Sequence, residues 1–516
     1  MNQYVKSNPK GLKNIKHIVT LMLENRSFDS LLGWLYDEKS PPNNQNFGGL
    51  NSQLWNPLNN IDSDGVPFVE KVGVEKNGVK EDKYGEKISY PANYALPSPD
   101  PGEGFRDTNY QLYGYYDVAQ AYPPEALNQG FVNNYQNAML YGAYSFGDQP
   151  TNPRDIMRCY TPEQTNVLST LAQQFSVSDQ YYCSVPSQTL PNRSFVHAAT
   201  SGGNVNNSPN PFCDGRTIYD QIEEEIKKGR SELSWGIFGN NPMPTSGSKR
   251  KKDAQGKFGK DYFSLTRLCM TSLHGPEFDK NFHSLDHFFA LSTSGELPSY
   301  SFLEPNFGGP NQNDQHPPQD IRHAEKLIAE VYNAIKNSPA FESTLLIVTY
   351  DEHGGCYDHV SPPKGAKNPD ASNPAGQDGF LFNRFGVRVP CVLISPYVKK
   401  GLIARADGYT PYDHTSIIRT VQNCFDLTGT LTERDKAAPD LSGVLEDSPR
   451  KNDFPDITAP DCALASDPNH INDLHRECAR MTELLSGIPS TEEEHPLRFT
   501  QNIFDRVFIK RSLNSK

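Results

Sequence analysis

Apolar positions in this chain gather into short runs, and each run ends in a polar turn. Ser343 to Thr349, STLLIVT, is apolar and β-branched over the length of a strand buried on both faces. Ile15 to Leu23, IKHIVTLML, reads the same way, as do the shorter Leu233 to Phe238, Leu297 to Leu303 and Val387 to Ser395. Ser176 to Val185 reads as a further strand. Between them lie stretches of helical period: Pro162 to Phe175, 214 to 229, and most strongly Gln319 to Lys336. Strands that alternate with helices predict an α/β fold with a mostly parallel sheet and right-handed crossovers.

The polar ends of these runs carry the chemistry. The run to Thr349 delivers Asp351 and Glu352, followed by His353, Gly354-Gly355, Asp358 and His359. In an open α/β sheet, ligands sit at the carboxyl ends of the strands. Two adjacent carboxylates there are costly to ionise together unless a cation neutralises them, so a divalent metal is expected. The run to Leu23 ends in Glu24 and Asn25, oxygen donors of the kind hard cations take. After Val185 come Ser187, Thr189, Asn192 and Arg193, with a helix opening near Pro191. A hydroxyl at a helix N-terminus, where backbone N–H groups favour phosphate, is suited to be a nucleophile, and Ser184, Ser187 and Thr189 all qualify. Asp314 and His316 lie in a Gly/Asn/Pro loop before the strongest helix, where a histidine can bind phosphate or protonate a leaving group. Phe282 to Ser292 is expected to be a helix with His283 and His287 on one face, and Tyr412 to Ser416 opens another helix with His414.

Composition adds loops and limits partners. The 41 Pro and 38 Gly imply long connections, and residues 37 to 125 form a loop-rich excursion in which Glu103 and Asp107 lie near an Asp-Pro-Gly turn. The basic stretch 245 to 260 reads as a solvated loop. A net charge of −13 argues against a nucleic-acid partner. No run is long and apolar enough for a membrane-spanning helix, and no secretory leader is visible. Nine scattered cysteines with no CxxC pair argue against a disulfide framework, so the expectation is a cytoplasmic protein, or one exported without a Sec-type signal peptide. From about residue 430 the pattern weakens apart from a helix at 472 to 486, so 431 to 516 is expected to be an appendage to a catalytic domain of residues 1 to 430.

The motifs LENRSFDSLLGW (23 to 34), CSVPSQTLPNR (183 to 193), NDQHPP (313 to 318), TYDEHGGCYDHVSPP (349 to 363) and YDHTS (412 to 416) occur in an order that resembles the phosphoesterase family of bacterial phospholipases C and acid phosphatases, which includes plant non-specific phospholipases C. The resemblance implies a three-layer α/β/α fold like that of alkaline phosphatase, with long loop insertions. It implies one or more divalent metal ions (Ca, Mg, Mn, Zn or Fe) held by Glu24, Asn25, Thr189, Asp351 and Glu352. Thr189 would be the nucleophile that forms a phospho-enzyme, His316 would act at the phosphate or leaving group, and His287 is a looser match for a catalytic histidine. Asn25, Asn192, Arg193, His359, His414 and Glu103 are expected to line the substrate. Many relatives carry a His near the position of Glu103. Serine occupies the nucleophile position in the acid phosphatases, so Thr189 favours a phospholipase C that cleaves glycerophospholipids, with phosphatidylcholine first, during transient contact with a membrane surface. The alternatives are an acid phosphatase of the same family and a non-catalytic lipid-binding or effector protein.

Overall fold

The computed structural model describes the chain outside residues 1–3, 38–39, 82–86, 90, 119–122, 142–151, 241–262, 371–374, 452, 463–468, 492–493, 505–507 and 509–516. The basic stretch 245 to 260 therefore lies outside the described residues. At the centre is an eight-stranded sheet. Its strands in chain order are β1 (His17–Leu23), β2 (Ser176–Ser178), β3 (Trp235–Gly239), β4 (Phe282–Ser284), β5 (Tyr300–Leu303), β6 (Thr344–Tyr350), β7 (Cys391–Ile394) and β8 (Leu402–Ile403). Across the sheet they stand in the order β4, β3, β5, β1, β6, β7, β2, β8.

The two most apolar runs are neighbours at the middle. Apart from His17, every residue of β1 and β6 is buried, which requires helices on both faces. They run parallel with Thr344 opposite His17 and Tyr350 opposite Leu23. That register makes Glu24 and Asp351 leave the sheet side by side, and the Asp351 N–H donates to the Leu23 carbonyl at 3.1 Å. Only β7 runs antiparallel to its neighbours, β6 and β2. Among the described residues no α-helix lies between β6 and β7, so the chain turns back at the edge it left and re-enters in the opposite direction.

Helices α1 (Phe28–Leu32), α2 (Asn166–Gln174), α3 (Thr189–Ala198), α4 (Ile218–Lys227), α5 (Leu285–Ser294), α6 (Arg322–Lys336), α7 (His414–Cys424) and α8 (Asp473–Ser486) flank the sheet. Two separate sets form the outer layers. Helices α2 and α5 pack on α6, while α4 and α7 pack on α3 and α8 joins that set through the helix Leu265–Cys269. The result is a three-layer α/β/α fold. In α6 the apolar positions Leu327, Ile328, Val331, Tyr332 and Ile335 fall at helical spacing and are all buried.

Several elements differ from their expected form. The strand expected over Ser176 to Val185 stops at Ser178 because Asp179 turns out of the sheet, held by Arg405 at 2.7 and 2.8 Å and by the Gly48 N–H at 2.7 Å. Tyr181–Tyr182 then pairs with Tyr412–Asp413 in a separate ribbon. The helix expected over Phe282 to Ser292 begins only at Leu285, and His283 stands on edge strand β4. The 37 to 125 excursion is not featureless: Trp55–Ile61 and Pro67–Gly73 form a hairpin whose Leu58 and Val72 join Leu112, Phe131, Val132 and Met157 in a second apolar cluster. Described residues of the C-terminal stretch pack into the main core. Leu474, Cys478, Met481, Leu497, Phe499 and Phe504 belong to the same core as β1, and the His475 Nε2 lies 2.6 Å from the Phe307 carbonyl.

Candidate active site

Four segments meet at the carboxyl edge of β1 and β6. Directly after β1, Glu24 and Asn25 are wholly buried, and Asn25 adopts a left-handed backbone with φ 54°. Asparagine tolerates that conformation better than most residues. The Asn25 N–H donates to Asp351 Oδ1 at 3.1 Å, which ties the two strand ends together. Gly354 makes the approach possible, since a Cβ there would stand 2.2 Å from the Asn25 carbonyl oxygen.

The acids are incompletely compensated. Arg193 reaches across from α3, with Nη2 2.7 Å from Glu24 Oε1 and Nε 3.1 Å from Asp351 Oδ2. Glu352 Oε2 accepts from the Gly354 N–H at 2.7 Å. Glu24 Oε2 and Glu352 Oε1 are buried without a hydrogen-bond partner. Burial, and then the neighbouring Asp351 charge, push the Glu24 and Glu352 carboxyls well above the usual range. Orphaned buried carboxylate oxygens of this kind are costly, and an oxygen-seeking cation would relieve them.

Thr189 is the first residue of α3 and is buried, with Oγ1 3.5 Å from Asn25 Oδ1. No side chain caps that helix at Gln188, but its first turn is largely used, since the Leu190 N–H donates to Asn207 Oδ1 at 2.9 Å and Pro191 lacks an N–H. On the opposite flank, Asn25 Nδ2 donates to Glu103 Oε2 and lies 3.1 Å from His316 Nε2. The His316 Nδ1–H donates to the Pro317 carbonyl at 2.7 Å, which leaves Nε2 as the acceptor. Burial lowers the pKa of His316 to about 4, so the ring is neutral near neutral pH. Burial raises Asp314 to about 7.

The remaining expected site residues do other work. Asn192 accepts from the Val185 N–H and donates to the carbonyls of Val185, Ser187 and Gln188 at 2.9 to 3.1 Å, so it shapes the turn before α3 and is spent there. His414 is fully buried; its Nε2–H donates to the Asp351 carbonyl at 2.6 Å and its Nδ1 meets the Tyr181 hydroxyl at 3.2 Å, so it braces the metal-ligand candidate from behind. His287 is not brought to the cluster. It stacks on Phe238 of β3 and lies 4.5 Å from the His283 ring on edge strand β4, two to three strands from β1 or about 10–14 Å across the sheet. Asp100 was not singled out as a site residue. It lies beside His316, at 3.7 Å from Nδ1, and only its place in the Asp-Pro-Gly turn next to Glu103 hinted at this.

His359 belongs to a network around Arg388, whose guanidinium holds Asp29 at 2.9 Å and Asp358 at 3.0 Å. The Asp29 carboxylate accepts from His359 Nδ1 at 2.6 Å. Burial works to lower the His359 pKa, but the Asp29 charge and hydrogen bond outweigh it and raise the value. A raised histidine pKa stabilises the fold fully below its ordinary value of about 6.5 and loses that contribution as pH rises through the folded value. His359→Asn is therefore expected to cost about 1–3 kcal/mol at about pH 6, with the difference from the parent shrinking at alkaline pH. Urea melts of both proteins across that range check it, and a pH-independent difference would contradict the ion pair.

The fold and this edge define a class: a three-layer α/β protein that presents a helix-borne hydroxyl to a buried, oxygen-rich acidic cluster. The chain belongs to the Phosphoesterase family, whose model matches residues 15–428, and as a member it is a hydrolase of phosphoric esters. It is similar to the non-specific phospholipase C6 of Arabidopsis thaliana, at 31% identity over 92% of this chain and 81% of that protein. It is likewise similar to that plant's non-specific phospholipase C3, at 32% identity over 88% and 77%. Phospholipase C B of Mycobacterium tuberculosis is 26% identical over 88% of this chain and 84% of its own length. Among solved structures, a protein of the alkaline phosphatase superfamily from Vibrio parahaemolyticus aligns at a TM-score of 0.26 with 15% identity, covering 54% of this chain and 65% of that one.

Proposed function

We propose that this chain is a metal-dependent phospholipase C that cleaves glycerophospholipids, phosphatidylcholine first, to diacylglycerol and the phosphorylated head group. The observation that carries the reading is the hydroxyl of Thr189, at the N-terminus of α3 and 3.5 Å from the Asn25 amide oxygen, at a sheet edge that also carries two orphaned carboxylate oxygens. Glu24, Asn25, Asp351 and Glu352, with Thr189 itself, offer oxygen donors whose chemistry suits a divalent cation. Such an ion, when bound, lowers the pKa of a hydroxyl and stabilises charge on phosphoryl oxygens.

The chain's own groups supply the rest. Thr189 Oγ1 bonds to phosphorus as the bond to the glycerol oxygen breaks and that oxygen gains a proton, which leaves the head-group phosphate on the threonine. Water then attacks the phosphothreonine, returns the hydroxyl and releases the phosphorylated head group. His316, neutral and with Nε2 beside the Asn25 amide, is suited to meet the phosphate or the leaving group. Arg193 and His414 hold the acids in register. Among the described residues no helix is long and apolar enough to cross a membrane, so lipid is met by transient contact with a surface.

Two paired assays test this. The protein with added divalent metal is expected to release phosphocholine from phosphatidylcholine vesicles. It is also expected to turn over p-nitrophenylphosphorylcholine at least about tenfold faster than p-nitrophenyl phosphate, the margin a transition-state difference of about 1.4 kcal/mol gives. The reverse preference would assign an acid phosphatase. Vesicle binding with no turnover of either would assign a non-catalytic lipid-binding protein.

A further inference from the structure

A second group of potential ligands lies against the first, and its members come from different parts of the chain. Asp100, Glu103 and His316 each present one donor atom, all within 4.8 Å of one another, and all three side chains are buried. Asp100 Oδ1 is buried with no hydrogen-bond partner. Glu103 Oε2 and His316 Nε2 share a neighbour in the Asn25 amide nitrogen, and the Gln188 side chain also hydrogen-bonds Glu103. An amide is a dipole and cannot neutralise two carboxylates.

The local charge is far from balanced. Glu24, Asp100, Glu103, Asp314, Asp351 and Glu352 are six buried carboxyl groups, set against the two buried guanidinium groups of Arg26 and Arg193. With all six ionised, one divalent ion at the Glu24–Asp351 cluster would leave an excess of two negative charges; without a further cation, burial instead pushes Asp100 and Glu103 well above the usual carboxylate range. Asp473 at the rim adds no compensation and is itself paired with Arg476 at 3.2 Å. Among the described residues the other comparable cluster, Asp29 with Asp358 and His359, differs in this respect because Arg388 already fills it.

The loop that carries Asp100 and Glu103 is fixed from several sides. The Tyr135 hydroxyl donates to the Pro99 carbonyl at 2.7 Å and Gln111 Nε2 to the Gly102 carbonyl at 2.7 Å. Gly355 packs so close that a Cβ there would lie 2.5 Å from the Gly102 oxygen. Because His316 Nδ1–H is committed to Pro317, its other nitrogen keeps its lone pair, which meets the Asn25 amide at 3.1 Å with Glu103 Oε2 at 4.0 Å. A second partner that fixes the tautomer is the usual setting of a metal-binding histidine.

We propose that Asp100, Glu103 and His316 hold a second divalent cation, next to the one assigned to Glu24, Asn25, Asp351 and Glu352, with the Asn25 side chain between them. Two carboxylates and an imidazole suit a borderline ion of the Mn²⁺ or Zn²⁺ kind better than Ca²⁺ or Mg²⁺. The proposal deepens the metal-dependent reading above, on which the function of the second ion, but not its presence, rests. Paired ions clamp the entering and leaving oxygens of a phosphoryl displacement from both sides.

The test counts metal. The full chain is loaded with Mn²⁺, freed of excess by gel filtration, and its Mn²⁺ content is measured by mass spectrometry, alongside Asp100→Asn, Glu103→Gln and Asp351→Asn, each checked for folding by circular dichroism. The expected stoichiometry is two ions in the parent and one in each variant. Glu103→Gln keeps the test open if Asp100→Asn does not fold. A parent with one ion that survives in Asp100→Asn and Glu103→Gln overturns the second site and leaves the first. A single ion lost in those two but kept in Asp351→Asn supports the second site and sinks the first. A parent that binds none overturns both.

Discussion

Thr189→Ala is expected to reduce turnover of a phosphodiester by at least about 10³-fold, because the step that forms a bond to phosphorus has lost its oxygen. Little structural cost should accompany the loss. The Thr189 hydroxyl has one long contact, 3.5 Å to Asn25, and α3 stays anchored by Asn192 and by the Leu190 N–H, which donates to Asn207 Oδ1 at 2.9 Å. The variant should melt within about 1 kcal/mol of the parent and bind the same number of metal ions, since four oxygen donors remain. Thr189→Ser should keep measurable activity, the hydroxyl being retained. Undiminished turnover in Thr189→Ala would remove the residue from the reaction. Loss of metal together with activity would mean that the threonine serves as a ligand more than as an attacking group.

Arg193→Met is expected to have the largest effect on stability, about 3–5 kcal/mol in the presence of chelator, because it leaves the buried Glu24 and Asp351 carboxylates without their guanidinium. Methionine fills much of the same volume and keeps a contact with Phe307, over whose ring the Arg193 guanidinium sits at 5.0 Å, so packing loss is a minor part. The same variant measured with saturating divalent cation should recover part of the loss, since an ion among the acids supplies the missing positive charge. Urea unfolding of parent and variant, each with and without metal, separates the two contributions. Equal stability of parent and variant in chelator would show that the two acids are protonated in the folded state and need no counter-ion.

Much of the sheet could be read in advance where strands are buried on both faces. The runs ending at Leu23 and Thr349 are mostly apolar, and they proved to be adjacent parallel strands with their acids in step. Short strands with mixed character were misjudged. Ser176 to Val185 looks continuous, but Asp179 is drawn out of the sheet by Arg405 and Gly48, partners over a hundred positions away that no local pattern reveals. His283 and His287 share helical spacing, yet strand pairing to Phe238 captured the first, while the second stacks on that same ring far from the cluster. The C-terminal stretch looked detached because its Pro/Asp/Ser-rich approach is polar, while Leu474, Cys478 and Met481 on one face of α8 fill the common core.

The sequence by itself determined which residues could do chemistry and which end of each strand would carry them, because a strand buried on both faces has to be apolar and its first polar residues mark where it leaves the core. It also supplied the order of motifs by which the family is recognised. The tertiary structure alone decided how those residues are divided between tasks. Arg193 and His414 brace the acids, Asn192 is used up in a turn, and His359 is drawn into the Arg388 network, while Asp100 joins His316. The reason is that hydrogen bonds and charge pairs are short-ranged and act between segments as much as three hundred positions apart, so a side chain's partner is set by how the layers pack and not by its neighbours along the chain.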